Sequence, residues 1–97
     1  MIHVLSKTIH YGGAEIKELN IDLESLSTVD YQRAEKEHKT LNPGTNSVLI
    51  EAETDFIKSI LIKATNLPIS VIDELPIVDF ARVKVKIQNF LLAGSKE

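Results

Sequence analysis

The hydrophobic period changes once along this chain, near Ser27, and that change limits what the chain can fold into. Before it, Leu19, Ile21 and Leu23 alternate strictly, which places three apolar side chains on one face of an extended segment. Ile2, Val4, Thr8 and Ile9 supply β-branched residues upstream, and the Gly12-Gly13 pair between the two runs tolerates the positive φ of a tight turn. Residues 1–23 therefore read as a β-hairpin. A hairpin alone is marginal in water, so its apolar face has to lie on other elements.

After Ser27 the apolar spacing is three and four, the period of a helix. Ser27-Thr28-Val29-Asp30 offers a capping hydroxyl, with a carboxylate three residues later on the positive end of the helix dipole. A helix over 29–39 follows, polar apart from Val29, Tyr31 and Ala34, which predicts a surface element with one thin apolar edge. The Pro43-Gly44 step then breaks it, and residues 41–46 read as the most mobile segment. Ala52, Phe56, Ile57, Ile60, Leu61 and Ala64 build a wide buried stripe on a second helix over 51–65, with Val48-Leu49-Ile50 as its first turn or a short strand. Asn66-Leu67-Pro68 ends that helix. Ser70, with Asp73 three residues on, caps a short third helix through residue 75.

Pro76 opens the last helix, 77–93, with Phe80, Val83, Ile87, Phe90 and Leu91 on one face and Gly94 as its stop. Val83-Lys84-Val85-Lys86-Ile87 also alternates as a strand does. The helical stripe nevertheless continues on both sides of it, through a segment without Gly or Pro, and this favours helix. Val78, Ala81, Val85 and Leu92 then form a second apolar stripe beside the first, and a helix apolar on two sides either lies deep in the core or covers a neighbour. The expected fold is α+β and mostly α: an N-terminal β-hairpin packed on three to four helices. It forms a single domain over 1–97, with 94–97 as a flexible tail.

The chain has 97 residues and no cysteine, which excludes disulfide scaffolds, cysteine zinc sites and thiol catalysis. Its apolar runs are too short to cross a bilayer, and no basic-then-apolar leader follows Met1-Ile2-His3-Val4, so a cytoplasmic protein is expected. Eleven basic against 14 acidic side chains, a net charge of −3, argue against a strong hold on nucleic acid or an anionic membrane. Arg82, Lys84, Lys86 and Lys96 do outnumber Asp79 and Glu97 locally, which keeps open an alternative reading as a small helical adaptor or transcriptional regulator that binds nucleic acid. The segment lacks clustered arginine and stacking aromatics, and cations near a helix C-terminus are ordinary.

Glu35-x-x-His38 has the spacing of di-iron carboxylate bundles, but such a site needs a second pair and two more glutamates, and no second copy exists. The run from Glu35 to Lys39 therefore reads as a solvated charged face. His3 and His10 read as ordinary edge-strand polar residues. Glu24-Ser25-Leu26 invites comparison with acyl carrier proteins, in which a serine before an acidic helix carries phosphopantetheine. Here a hairpin stands where a carrier has a helix, and Arg33, Lys36 and Lys39 interrupt the acids, so helix capping is preferred. No nucleophile–base pair, glycine-rich phosphate loop or zinc helix motif appears. The expectation is a protein that is not an enzyme and uses no cofactor or metal.

The order of features resembles the small tail assembly chaperones of tailed phages and prophages, particularly those of contractile tails. Val4-Leu5-Ser6-Lys7-Thr8-Ile9, Gly12-Gly13 and Ile16-Lys17-Glu18-Leu19-Asn20-Ile21 are similar to that family's opening hairpin, and Ser27-Thr28-Val29-Asp30-Tyr31 to its turn into a helix. Ile62 to Pro68, Ile72-Asp73-Glu74-Leu75, Asp79-Phe80 and Val85 to Leu91 resemble its helical half, which closes on a Phe-Leu pair. The family often has proline where Thr8 stands and glycine where Asn66 stands. The resemblance implies a chaperone that binds the tape measure protein before the tail tube polymerises, and that is absent from the finished virion. It also implies a longer frameshifted form that recruits tail tube protein and would emerge after Ala93. The residues expected to meet a client, or another copy in a homo-oligomer, are Val78, Val85 and Leu92, with Phe90 nearby. For Phe80, Ile87 and Phe90, burial in the chain's own core is the competing expectation.

Overall fold

The computed structural model describes residues 1–44, 50 and 53–93. Strand β1 (Ile2–Tyr11) turns through Gly12 and Gly13 into β2 (Ala14–Asn20), and the two pair antiparallel. Both glycines have positive φ, +60° and +81°, the backbone state that side chains disfavour. A single-turn 3-10 helix, Leu23–Ser25, leads into α1 (Thr28–Leu41), α2 (Thr54–Thr65), α3 (Ile69–Asp73) and α4 (Ile77–Ala93). The expected α+β architecture, a hairpin followed by helices, is the observed one, and residues 83–87 are helical.

The hairpin register slips once. Val4 stands opposite Glu18 and Ile9 opposite Ile16, so Leu5 to Thr8 face Lys17 alone. Surplus residues on one strand form a bulge, which bends the strand and releases backbone groups from the ladder. The inward side chains of β1 are His3, Leu5 and Ile9, and on the second strand Leu19 is buried. Ile21 and Leu23, past the end of β2, continue the same buried face, as their alternation predicts.

One core joins the hairpin to the helices. Leu5, Ile9, Leu19 and Ile21 meet Phe56, Ile57, Ile60 and Leu61 of α2, Val71 and Ile72 of α3, and Val83 and Ile87 of α4. Burying each large aliphatic or aromatic side chain contributes about 1.5–3 kcal/mol, so α2, apolar on most of its circumference, is the central organiser. It ends at Asn66, whose φ of 61° and ψ of 25° make the left-handed helix end for which asparagine ranks after glycine. The Asn66 N–H donates to the Ile62 carbonyl at 2.9 Å. Ser27 caps α1, and the Asp30 carboxylate accepts the Ser27 N–H at 2.9 Å, the reciprocal half of a capping box.

Several expectations need correction. Helix α3 is capped by Pro68 and starts at Ile69, so Ser70 lies inside it rather than capping it. Pro68, with extended backbone, already stands at the cap, and its carbonyl accepts the Val71 and Ile72 N–H groups at 3.0 and 3.3 Å, so the first turn is under way before Ser70. Val29 is exposed, and the buried residues of α1 are Ala34 and His38, with Tyr31 against Phe56 in an edge-to-face contact at 5.0 Å. The start of α2 expected at 51, Ala52 in its stripe, residues 48 and 49 of the possible strand, Thr45 and Asn46 of the loop, and the tail 94–97 lie outside the described residues.

Candidate functional site

Helix α4 has two faces of opposite character. Residues advance by about 100° each around a helix, so Val83 and Ile87, fully buried, share one side, with Phe80, Phe90 and Leu91 half-buried beside them. Val78, Ala81, Val85 and Leu92 fall on the side turned away from the core. Val78 is 48% exposed, Val85 53% and Leu92 66%. Their spacing of seven keeps the three in one row that drifts by only ~20° per step. Of the four residues expected to meet a partner, the structure thus brings Val78, Val85 and Leu92 together on an open face. Phe90 lies elsewhere, packed against the core. The second stripe is opposite the first rather than beside it.

Ile77, at the start of α4, is 84% exposed and extends the apolar row. Arg82 and Lys86 border it on one side and Lys84 on the other. Lys84 donates to the Thr54 hydroxyl at 3.1 Å, and Lys86 to the His3 ring at 3.1 Å. Both ammonium groups are therefore hydrogen-bonded to neighbouring elements at the rim of the row.

What holds this helix at its angle is a polar cluster that sequence reasoning missed. Asp79 sits in the first turn of α4 and is 1% exposed. Its carboxylate accepts the Ser6 N–H at 3.0 and 3.1 Å, the Ser6 hydroxyl at 2.6 Å and the His3 Nε2–H at 2.9 Å. Ser6 can donate because it lies in the bulge, where its N–H has left the ladder. The Lys86 ammonium can only donate, so His3 Nδ1 must accept from it and Nε2 must carry the hydrogen given to Asp79. His3 then bridges a carboxylate and an ammonium. Burial works against the Asp79 charge, but the bonds from Ser6 and His3 outweigh it and hold the carboxyl below its ordinary range.

His3 is therefore a buried ligand of Asp79 and not an ordinary edge-strand polar residue, since it shares the buried face of β1 with Leu5 and Ile9. His10 is exposed as expected. The signal was present: Asp79 stands four residues before Val83, on the buried face of an amphipathic helix, where a carboxylate requires donors.

His38 also departs from the expected solvated face. It is buried between α1 and α2, with Nδ1 3.3 Å from the Asn42 amide and Nε2 without a hydrogen-bond partner. Asn42 in turn donates to Asp55 at 3.0 Å, tying the end of α1 to α2. Glu35 is half-buried, and no group of three or more metal-ligating side chains occurs among the described residues. On the same pair of helices, Glu37 meets Lys63 at 3.1 Å. Burial raises the Glu37 pKa, but hydrogen bonds from Ser59 and Lys63 and the charges of Lys63 and Arg33 bring it below its ordinary value. Ser25 donates its hydroxyl to the Asp22 carbonyl at 3.0 Å, a local turn bond. No helix among the described residues is long and apolar enough to cross a membrane.

Fold and face together define a small α+β protein whose last helix is anchored by a buried carboxylate and presents an apolar row outward. No family model, curated protein or solved structure matches the chain.

Proposed function

We propose that this chain is a tail assembly chaperone of a phage or prophage, which binds the tape measure protein in the host cytoplasm and is left out of the finished virion. The observation that carries the reading is the outward row on α4, with Val78, Val85 and Leu92 each about half exposed or more. A contiguous exposed apolar surface on a small protein marks a place where another polypeptide sits. A tape measure chain is long, helical and apolar in stretches, and many small subunits shielding those stretches would keep it from aggregating. The resemblance of the hairpin, the Thr28 turn and the Phe90-Leu91 close to that family supports the same conclusion. A longer frameshifted form that recruits tail tube protein and a homo-oligomeric state belong to this proposal.

Against the reading as a nucleic-acid adaptor, the row between the cations is apolar and would be left uncovered by a phosphate backbone. The test is co-production of the chain with a tape measure fragment that is insoluble alone. The fragment is expected in the soluble fraction with the wild-type chain and in the pellet with Val85→Glu. A fragment that stays in the pellet with the wild-type chain overturns the proposal.

A further inference from the structure

The outward face of α4 has a charge pattern as well as an apolar row. Helix α4, Ile77–Ala93, contains one carboxylate, Asp79, and that group is buried and saturated by Ser6 and His3. Arg82, Lys84 and Lys86 border the row, so the side chains of α4 itself make the face apolar along its centre and cationic along both rims; the exposed carboxylate near Ile77, Asp73 of α3, is already paired with Lys58. A second copy of α4 laid on this face would bring cations to cations with no carboxylate between them. Like-charge juxtaposition is how an interface rejects a partner, and opposite charge is how it selects one.

From this we infer that the α4 face docks an amphipathic helix whose own apolar stripe is bordered by aspartate and glutamate. The inference rests on the proposed chaperone role and names the chemistry of the client segment: acidic-flanked helical stretches, in preference to basic-flanked ones. The seven-residue spacing of Val78, Val85 and Leu92 matches an occupant whose apolar residues recur every three and four positions, so helix packs along helix. The apolar row supplies the holding force, and the rim cations supply selection and faster encounter. A nucleic acid would use the cations but leave the row uncovered.

The experiment uses the full chain and two fluorescent helical peptides of identical leucine stripe, one flanked by glutamate and one by lysine, with binding read by anisotropy. At low salt the glutamate peptide is expected to bind about tenfold tighter, three rim contacts each contributing a factor of about two. In about 0.5 M salt the two affinities should converge while binding persists, because screening removes the rim contribution and spares the apolar one. Arg82→Glu should narrow the preference, and Val85→Glu should weaken both peptides. Circular dichroism melts establish that each variant is folded.

Equal binding of the two peptides at low salt overturns the inference, as does preference for the lysine peptide. So does tight, steeply salt-dependent binding of a labelled DNA duplex with no peptide binding. Formation of a dimer that Val85→Glu dissociates, with no peptide bound by the wild type, shows instead that a second copy covers the face. Failure of the chaperone reading looks different: the peptides still discriminate, but the wild-type chain does not solubilise the tape measure fragment.

Discussion

Replacing Asp79 by asparagine removes a charge from the centre of the fold while keeping its shape, and the consequence can be worked from the geometry. Three donors converge on the carboxylate: the Ser6 N–H, the Ser6 hydroxyl and His3 Nε2–H, at distances from 2.6 to 3.1 Å. Hydrogen bonds to a charged acceptor contribute about 1.5–3 kcal/mol and those to a neutral one about 0.5–1.5, so three bonds lose roughly 1 kcal/mol each. An asparagine can re-form part of the set, because the Ser6 hydroxyl can turn to accept from the new amide. A loss of about 2–3 kcal/mol at neutral pH is therefore expected, and a domain of this length should melt roughly 8–24 °C lower.

The pH dependence is the sharper part of the expectation. The folded pKa of Asp79 lies below its ordinary 3.8, so its contribution is fully present above that value. It fades as pH falls through the folded pKa, where the wild-type carboxyl takes up a proton and resembles the amide. Urea titrations of both proteins, followed by circular dichroism at pH 7 and at successively lower pH, give the two stabilities. The gap between them should be full at pH 7 and close progressively below about pH 4. A gap under about 0.5 kcal/mol at pH 7, or one that does not narrow in acid, refutes the view that this buried anion fastens α4 to the hairpin.

Other substitutions separate surface from scaffold. Val85→Glu, on the outward row, should change stability by no more than about 0.5 kcal/mol while abolishing client solubilisation; loss of its cooperative thermal melt would show that the position is core. Asn66→Ala should cost about 1 kcal/mol in a denaturant titration, because alanine resists the left-handed backbone at the end of α2, whereas Asn66→Gly should match or exceed the wild type. His38→Leu should cost less than about 1 kcal/mol or stabilise, since it removes a buried nitrogen that has no partner; a loss above about 2 kcal/mol by chemical denaturation would show that His38 has an essential polar role.

Periodicity alone carried most of the fold. The alternation of Leu19, Ile21 and Leu23, the Gly12-Gly13 turn and the three-and-four spacing from Phe56 to Ala64 are local signals, and the hairpin and α2 follow from them directly. Residues 77–93 could be read as helix because the stripe through Val83 and Ile87 runs unbroken on either side of the alternating stretch. Local chemistry also foretold the Asn66 end of α2, as the backbone preference of one residue suffices there. Boundaries decided by competition were less legible: Pro68 and Ser70 both qualify as the start of α3, and the approach of the chain from α2 chose the proline.

Tertiary structure decided everything that depends on which distant groups meet. Sequence showed two apolar stripes on α4 but not their relation to the core, because a helix buried on both sides and one buried on a single side carry the same spacing. Only the position of the hairpin and α2 against Val83 and Ile87 left Val78, Val85 and Leu92 outside. His3 and Asp79 are separated by 76 positions, so no local pattern joins them. The bulge that frees the Ser6 N–H is set by cross-strand register, which a single strand does not encode. Propensity and period act over a few residues, whereas burial and hydrogen-bond partnership are settled when remote segments close on one another.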